Sequence, residues 1–193
     1  MIDYIKGRII RLTPACLTIE AGDIGYFINI SLTTFARLEG VSDCKILVHE
    51  IIREDAHQLF GFAETEEREI FRHLISVTGV GAGTARMMLS SLSPSEIERA
   101  IIGADVNLLK SVKGIGLKTA QRIIVDLKDK LGKQTGTDEL FTLSDNTKRE
   151  EALSALVMLG FAKSAVSKVL DRIVRDEKNL SVEEMIKRAL KNL

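Results

Sequence analysis

The sequence predicts a multidomain α+β chain: a small five-stranded β-barrel, an all-α region of two related halves, a flexible linker and a three-helix bundle. Three observations predict it. Five short strand-like runs crowd residues 1–62, with turn residues between them. One glycine signature occurs twice, at 77–85 and 112–120, each time between helical patterns. A Gly/Thr/Asp-rich break at 132–147 precedes three further helical patterns in residues 148–193.

The strand runs are 5–10, 16–21, 26–31, 45–52 and 58–62. Cys16–Ala21 and Tyr26–Ser31 alternate apolar and polar residues, while Lys45–Ile52 is a long β-branched run. Thr13-Pro14, Ala21-Gly22-Asp23 and Arg53-Glu54-Asp55-Ala56 supply the turns. Five strands in so short a stretch suggest a closed barrel, of which the OB-fold is the commonest five-stranded example.

The period changes at Ala63. Ile70, Phe71, Leu74 and Ile75 form a helical face. Ser93-Pro94-Ser95-Glu96 combines a capping serine, a first-turn proline and a glutamate able to close a capping box. Asp105 can cap a short helix reaching Leu109, and Ile123, Ile124, Leu127 and Leu131 share a face after the second signature. Residues 63–131 are therefore expected to repeat the order helix, Gly-x-Gly hairpin, helix, with the two halves burying their faces together.

Residues 132–147 lack periodicity and read as a flexible linker, although Leu140, Phe141 and Leu143 are apolar enough to dock elsewhere. Thr147–Glu150 has capping-box spacing, Gly160 is an expected helix stop, and Ser181–Glu184 is expected to cap a last helix. Three helices in so few residues form a marginal bundle, a kind of module that usually binds partner proteins.

The chain of 193 residues carries 27 basic and 27 acidic side chains, which excludes a globally basic nucleic-acid coat but not binding through local contacts. Residues 1–62, with six basic and eight acidic side chains, are mildly acidic. No run is long and apolar enough to span a membrane. The first residues lack the layout of a secretory leader, so a cytoplasmic protein is expected. Cys16 and Cys44 fit neither a zinc spacing nor a disulfide framework.

The two signatures carry the chemistry. Val77-Thr78-Gly79-Val80-Gly81-Ala82-Gly83-Thr84-Ala85 and Val112-Lys113-Gly114-Ile115-Gly116-Leu117-Lys118-Thr119-Ala120 lie thirty-five positions apart. Glycine lets a phosphate approach the backbone, and the helix that follows aims unsatisfied N–H groups and its positive dipole end at it. In the second copy the expected donors are Ile115, Gly116, Lys118 and Thr119. Lys118 adds a cation, with Lys113 and Arg122 in reach of neighbouring phosphates. In the first copy the expected donors are Val80, Gly81, Gly83 and Thr84, and Arg86 is expected to compensate for the glycine standing where the second copy has Lys118. Two such loops can hold both strands of one duplex without reading its bases.

Neither signature is a P-loop, because Leu117 separates Gly116 from Lys118 and neither copy belongs to a βαβ unit. His49, His57 and His73 have no metal spacing, and a solvated helix face accounts for Asp126, the position a glycosylase would use. No catalytic residue, metal or cofactor is expected. The alternatives are a repair enzyme that anchors through the hairpins and a protein adaptor whose hairpins only pack.

The order barrel, tandem helix–hairpin–helix, linker and three-helix module resembles the RuvA family, the Holliday-junction-binding subunits of bacterial branch-migration complexes. Met1–Gly7, Arg53–Asp55 with Leu59–Phe62, both hairpins and Ala155–Phe161 carry the resemblance, which spans essentially the whole chain. It implies an OB-type barrel (1–62) for tetramerisation, a tandem helix–hairpin–helix domain (63–131) for DNA, and a UBA-like bundle (148–193) for a motor. The implied assembly is a homotetramer, or an octamer of two tetramers, holding a four-way junction open and square-planar during recombination and repair. The implied protein partners are a RuvB-type AAA+ hexameric motor, which holds the ATPase, and a RuvC-type junction resolvase. Glu54 and Asp55 take the place of the family's acidic pin, and Leu159, Gly160 and Phe161 are candidates for motor contact.

Overall fold

Alternating side chains close the first sixty residues into a barrel. The strands are β1 (Tyr4–Thr13), β2 (Cys16–Ala21), β3 (Ile24–Ile30), β4 (Asp43–Ile52) and β5 (His57–Phe62). They run in the closed order β1-β2-β3-β5-β4, antiparallel except where β3 meets β5. Leu17, Ile19, Ile28, Ile30, Ile46 and Val48 fill the inside. This is the five-stranded OB-type barrel that the strand runs predict. The computed structural model describes residues 1–132, 143–176 and 180–193, and the chain folds as two units, Met1–Thr135 and Gly136–Leu193.

A helix that the sequence does not predict, α1 (Leu32–Leu38), lies between β3 and β4. Two threonines and a length of seven residues hide its period. Ser31 supplies the cap, its Oγ accepting from the Thr34 amide at 3.0 Å, and Leu38 enters the barrel core.

The remaining helices of this unit are α2 (Thr65–Ile75), α3 (Ala82–Ser91), α4 (Pro94–Ile102), α5 (Val106–Lys110) and α6 (Leu117–Gly132). Their core is continuous with the outer wall of the barrel. Phe71 of α2 is fully buried, with its ring centroid 5.2 Å from that of Phe60 and 4.9 Å from that of Phe62, both on β5. Truncating such a ring costs about 3–5 kcal/mol, so the helical region is fastened to the barrel by far more than the chain connection.

In the second unit, α7 (Leu143–Met158), α8 (Lys163–Asp176) and α9 (Val182–Leu190) bury Ala152, Leu156, Val166, Leu170, Met185 and Ala189. The helix starts at Leu143, so Thr147 lies inside it and does not cap it. The segment read as linker is helical at both ends, since α6 reaches Gly132. Residues 133–142, including Leu140 and Phe141, lie outside the described residues. Gly160, at φ +99°, ends α7: its amide donates to the Val157 carbonyl at 3.0 Å and the Phe161 amide to that of Leu156 at 3.2 Å. Ser181 and Glu184 form the expected capping box on α9. Among the described residues no helix is long and apolar enough to cross a membrane.

Candidate nucleic-acid interface

The two glycine signatures fold into matching turns, one joining α2 to α3 and the other α5 to α6. Gly79 and Gly114 hold φ of +95° and +93°, a region that side chains with a Cβ rarely enter. The apolar residue between the glycines points inward: Val80 and Ile115 are buried in one shared core. Their amides are engaged within the turn itself. The Val80 N–H donates to the Val77 carbonyl at 3.0 Å, and the Ile115 N–H to the Val112 carbonyl at 3.1 Å. Val80 and Ile115 are thus anchors, and the expectation that their N–H groups face a ligand is corrected.

The free donors begin one residue later. The first helical bond of α3 runs from Ala85 to Gly81 at 2.9 Å, and that of α6 from Ala120 to Gly116 at 3.0 Å. The amides of Gly81, Ala82, Gly83 and Thr84, and of Gly116, Leu117, Lys118 and Thr119, therefore precede the helical ladder. Among the described residues no acceptor meets them. The sequence-based donors do not include Ala82 and Leu117; their position as first helical residues is the signal that finds them. A Cβ built on Gly81 or Gly116 would meet nothing within 4 Å, so packing inside the chain does not require glycine there.

Capping sharpens the contrast. Between the two turns, α4 carries a complete Ser93–Glu96 capping box and α5 is capped by Asp105, which accepts from the Leu108 amide at 3.0 Å. On α3 the cap residue is Gly81, with no side-chain cap. Within residues 82–132 the helices that follow hairpins have open N-termini, and the two helices between them are closed by side chains.

Cations are unevenly placed. Lys113 and Lys118 are exposed beside the second turn and pair with no carboxylate among the described residues. Arg122, on the next turn of α6, lies 3.7 Å from Asp126 in an exposed ion pair. The first turn has no such side chain. Arg86, expected to compensate, reaches the barrel: its Nη1 donates to the Ala15 carbonyl at 3.1 Å and to Asn29 Oδ1 at 3.0 Å.

In the barrel, Glu54 and Asp55 occupy the exposed tip between β4 and β5, a turn closed by the Arg53 amide donating to the Ala56 carbonyl at 2.7 Å. In the second unit, Leu159, Gly160 and Phe161 form an exposed turn after α7, with Met158 beside them. Among the described residues no cluster of three or more His, Cys, Asp or Glu could hold a metal ion.

A closed OB-type barrel whose last strand packs Phe60 and Phe62 into the core that anchors paired Gly-x-Gly turns defines the class: a tandem helix–hairpin–helix protein built on a barrel. Residues 1–61 match the family model for the RuvA N terminal domain, 71–129 that for a SAM-like helix-hairpin-helix tandem, and 147–193 that for the RuvA C-terminal domain. The chain is 51% identical, over the whole of both chains, to a protein of Christiangramia forsetii named Holliday junction branch migration complex subunit RuvA. Proteins of that name from Bacteroides fragilis and Flavobacterium psychrophilum are 49% and 47% identical, again over full length. The chain belongs to the RuvA family.

Proposed function

We propose that this chain binds four-way DNA junctions by structure and not by sequence, as a non-catalytic cytoplasmic tetramer that loads a RuvB-type hexameric motor for branch migration. The observation carrying this reading is the pair of matched hairpins, each presenting free first-turn amides past an unobstructed glycine. Amide donors at a helix start suit phosphate oxygens and are blind to base identity. Blindness is what migration needs, because the strands must slide through the grip. The family membership and the names of the relatives support the junction as the ligand.

In this reading each subunit holds one arm through Gly81, Gly83 and Thr84 on one strand and Gly116, Lys118 and Thr119 on the other, with Lys113 and Arg122 flanking. Four-fold symmetry would gather the Glu54 and Asp55 carboxylates of all subunits at the crossover. Like charge there would repel phosphates and steer the separated strands outward. The exposed Leu159–Phe161 turn is the contact for the motor, which supplies ATP hydrolysis.

Binding to a four-way junction against linear duplex of equal length, across a salt series, tests the reading. Strong junction preference that weakens with salt, with no strand cleavage, is the expected result. Equal affinity for both, or cleavage by this chain alone, overturns it.

A further inference from the structure

The two hairpins share a backbone and differ in their side chains. At the second, Lys118 stands in the first turn of α6 and Lys113 in the loop, both exposed. At the first, the matching residues are Gly83 and Thr78. The nearest cation in the sequence, Arg86, is half-buried and bonded across to Ala15 of the β1–β2 loop and Asn29 of β3. Two more bonds run along the same seam: the Leu32 amide donates to Ser90 Oγ at 3.1 Å, and Thr33 Oγ1 to the Leu89 carbonyl at 2.7 Å. Arg86 thus belongs to a set of bonds that docks α3, and with it the first hairpin, on the barrel.

Resting on the junction-binding reading above, we propose that the two strands of each arm are held unequally. The first hairpin grips its strand through backbone amides alone, because Arg86 is a positioning residue bonded to the barrel. The second grips the other strand through amides together with Lys118 and Lys113. The amide grip is dipolar and releases few counterions; the lysine grip is ionic and dominates the salt dependence. One strand of every arm is then the looser one. In a ring of four subunits the looser strands share one polarity, so the complex presents the junction with a built-in strand bias.

The experiment replaces single phosphates by uncharged methylphosphonates along both strands of one arm of a synthetic junction. Affinity is measured between about 50 and 200 mM salt, the range over which phosphate contacts show. On one strand, neutralisation is expected to weaken binding and flatten the slope of log affinity against log salt by about 0.9 for each gripped phosphate that is neutralised. That effect should shrink in K118A and disappear in K113A/K118A. On the other strand binding should weaken less, with little change of slope. R86A should lower affinity by loosening the first hairpin, and leave the slope unchanged. G83K enters open space at an ordinary helical backbone, so it folds; it should steepen the slope and make the two strands equally sensitive. Equal sensitivity of both strands in the unaltered protein, or a slope flattened by R86A as much as by K118A, overturns the unequal grip alone. Absence of any binding to the unmodified junction overturns the junction reading with it.

Discussion

Thr34 Oγ1 donates to Glu67 Oε2 at 2.6 Å in the seam between α1 and α2. The other carboxylate oxygen accepts from Ser31 Oγ, and Thr34 Oγ1 itself accepts from the Ala63 amide at 3.1 Å. Glu67 is only 2% exposed. Burial pushes its carboxyl above the usual glutamate range, and the two hydroxyls pull back only in part. A group raised in the folded state favours folding most when protonated. Its contribution is therefore greatest at acid pH and is lost as pH rises through the raised value. E67Q should remove this pH dependence and, because its amide accepts from only one of the two hydroxyls, cost about 1 kcal/mol, whereas E67A, leaving both hydroxyls without their acceptor, should cost about 2 kcal/mol. Urea unfolding at several pH values, followed by the fluorescence of Tyr4 and Tyr26, reads this unit alone, since the chain has two tyrosines, both in the barrel, and no tryptophan. Parallel pH profiles for E67Q and the unaltered protein would sink the assignment.

The open helix starts predict a trade of binding for stability. An aspartate at position 81 or 116 sits where a cap belongs, and its carboxylate would accept from the free first-turn amides. G81D and G116D should therefore hold or slightly raise the melting temperature. If those amides hold phosphate, the same carboxylate takes the seat and repels it; a like charge at about 4 Å costs about 1–4 kcal/mol near a surface, so junction affinity should fall at least about fivefold. By contrast S93A, which removes the cap between the hairpins, should cost about 1 kcal/mol of stability with junction binding intact. Thermal melts beside junction titrations separate the two effects. Unchanged affinity in G116D would mean that the amides do not hold phosphate.

The strands, the paired hairpins and the capped helices were legible because each has a local cause: alternation, a glycine pair, a serine three residues before a glutamate. Three features were not. The α1 helix is too short and too rich in threonine to show a period. The Val80 and Ile115 amides are taken up by carbonyls three residues back, and an apolar residue between glycines does not reveal that turn bond. The partners of Arg86 lie 71 and 57 positions away, so an arginine that sequence places beside a phosphate is drawn to a carbonyl on the barrel. Local chemistry placed the open backbone amides; tertiary bonds decided which side chains stand beside them.

Glu54 and Asp55 stand at an exposed tip, and their neutral counterparts should fold normally. E54Q/D55N is expected to change stability by no more than about 0.5 kcal/mol, as for an ordinary surface site. If the carboxylates converge at the crossover, the double variant should bind both junction and duplex more tightly and lose much of its preference between them. Competition between junction and linear duplex measures this. A preference that survives unchanged would show the tip to be only a polar turn.

Leu159 is 63% exposed and Phe161 36%, on a turn fixed by Gly160 at positive φ. L159A removes apolar surface that touches little of its own fold, so the stability of the bundle should stay within about 0.5 kcal/mol. G160A leaves the apolar side chains of the turn in place but strains its backbone, and should cost about 1 kcal/mol or more. If the turn is the motor contact, L159A should weaken capture of a RuvB-type partner at least about tenfold, the effect of removing one well-buried anchor. If the hairpins of the other unit hold the junction, junction affinity should be unaltered. Pull-down and junction titration on the same preparation distinguish the cases: failure of both would point to a misfolded chain, and failure of neither would move the motor contact to another face of the bundle.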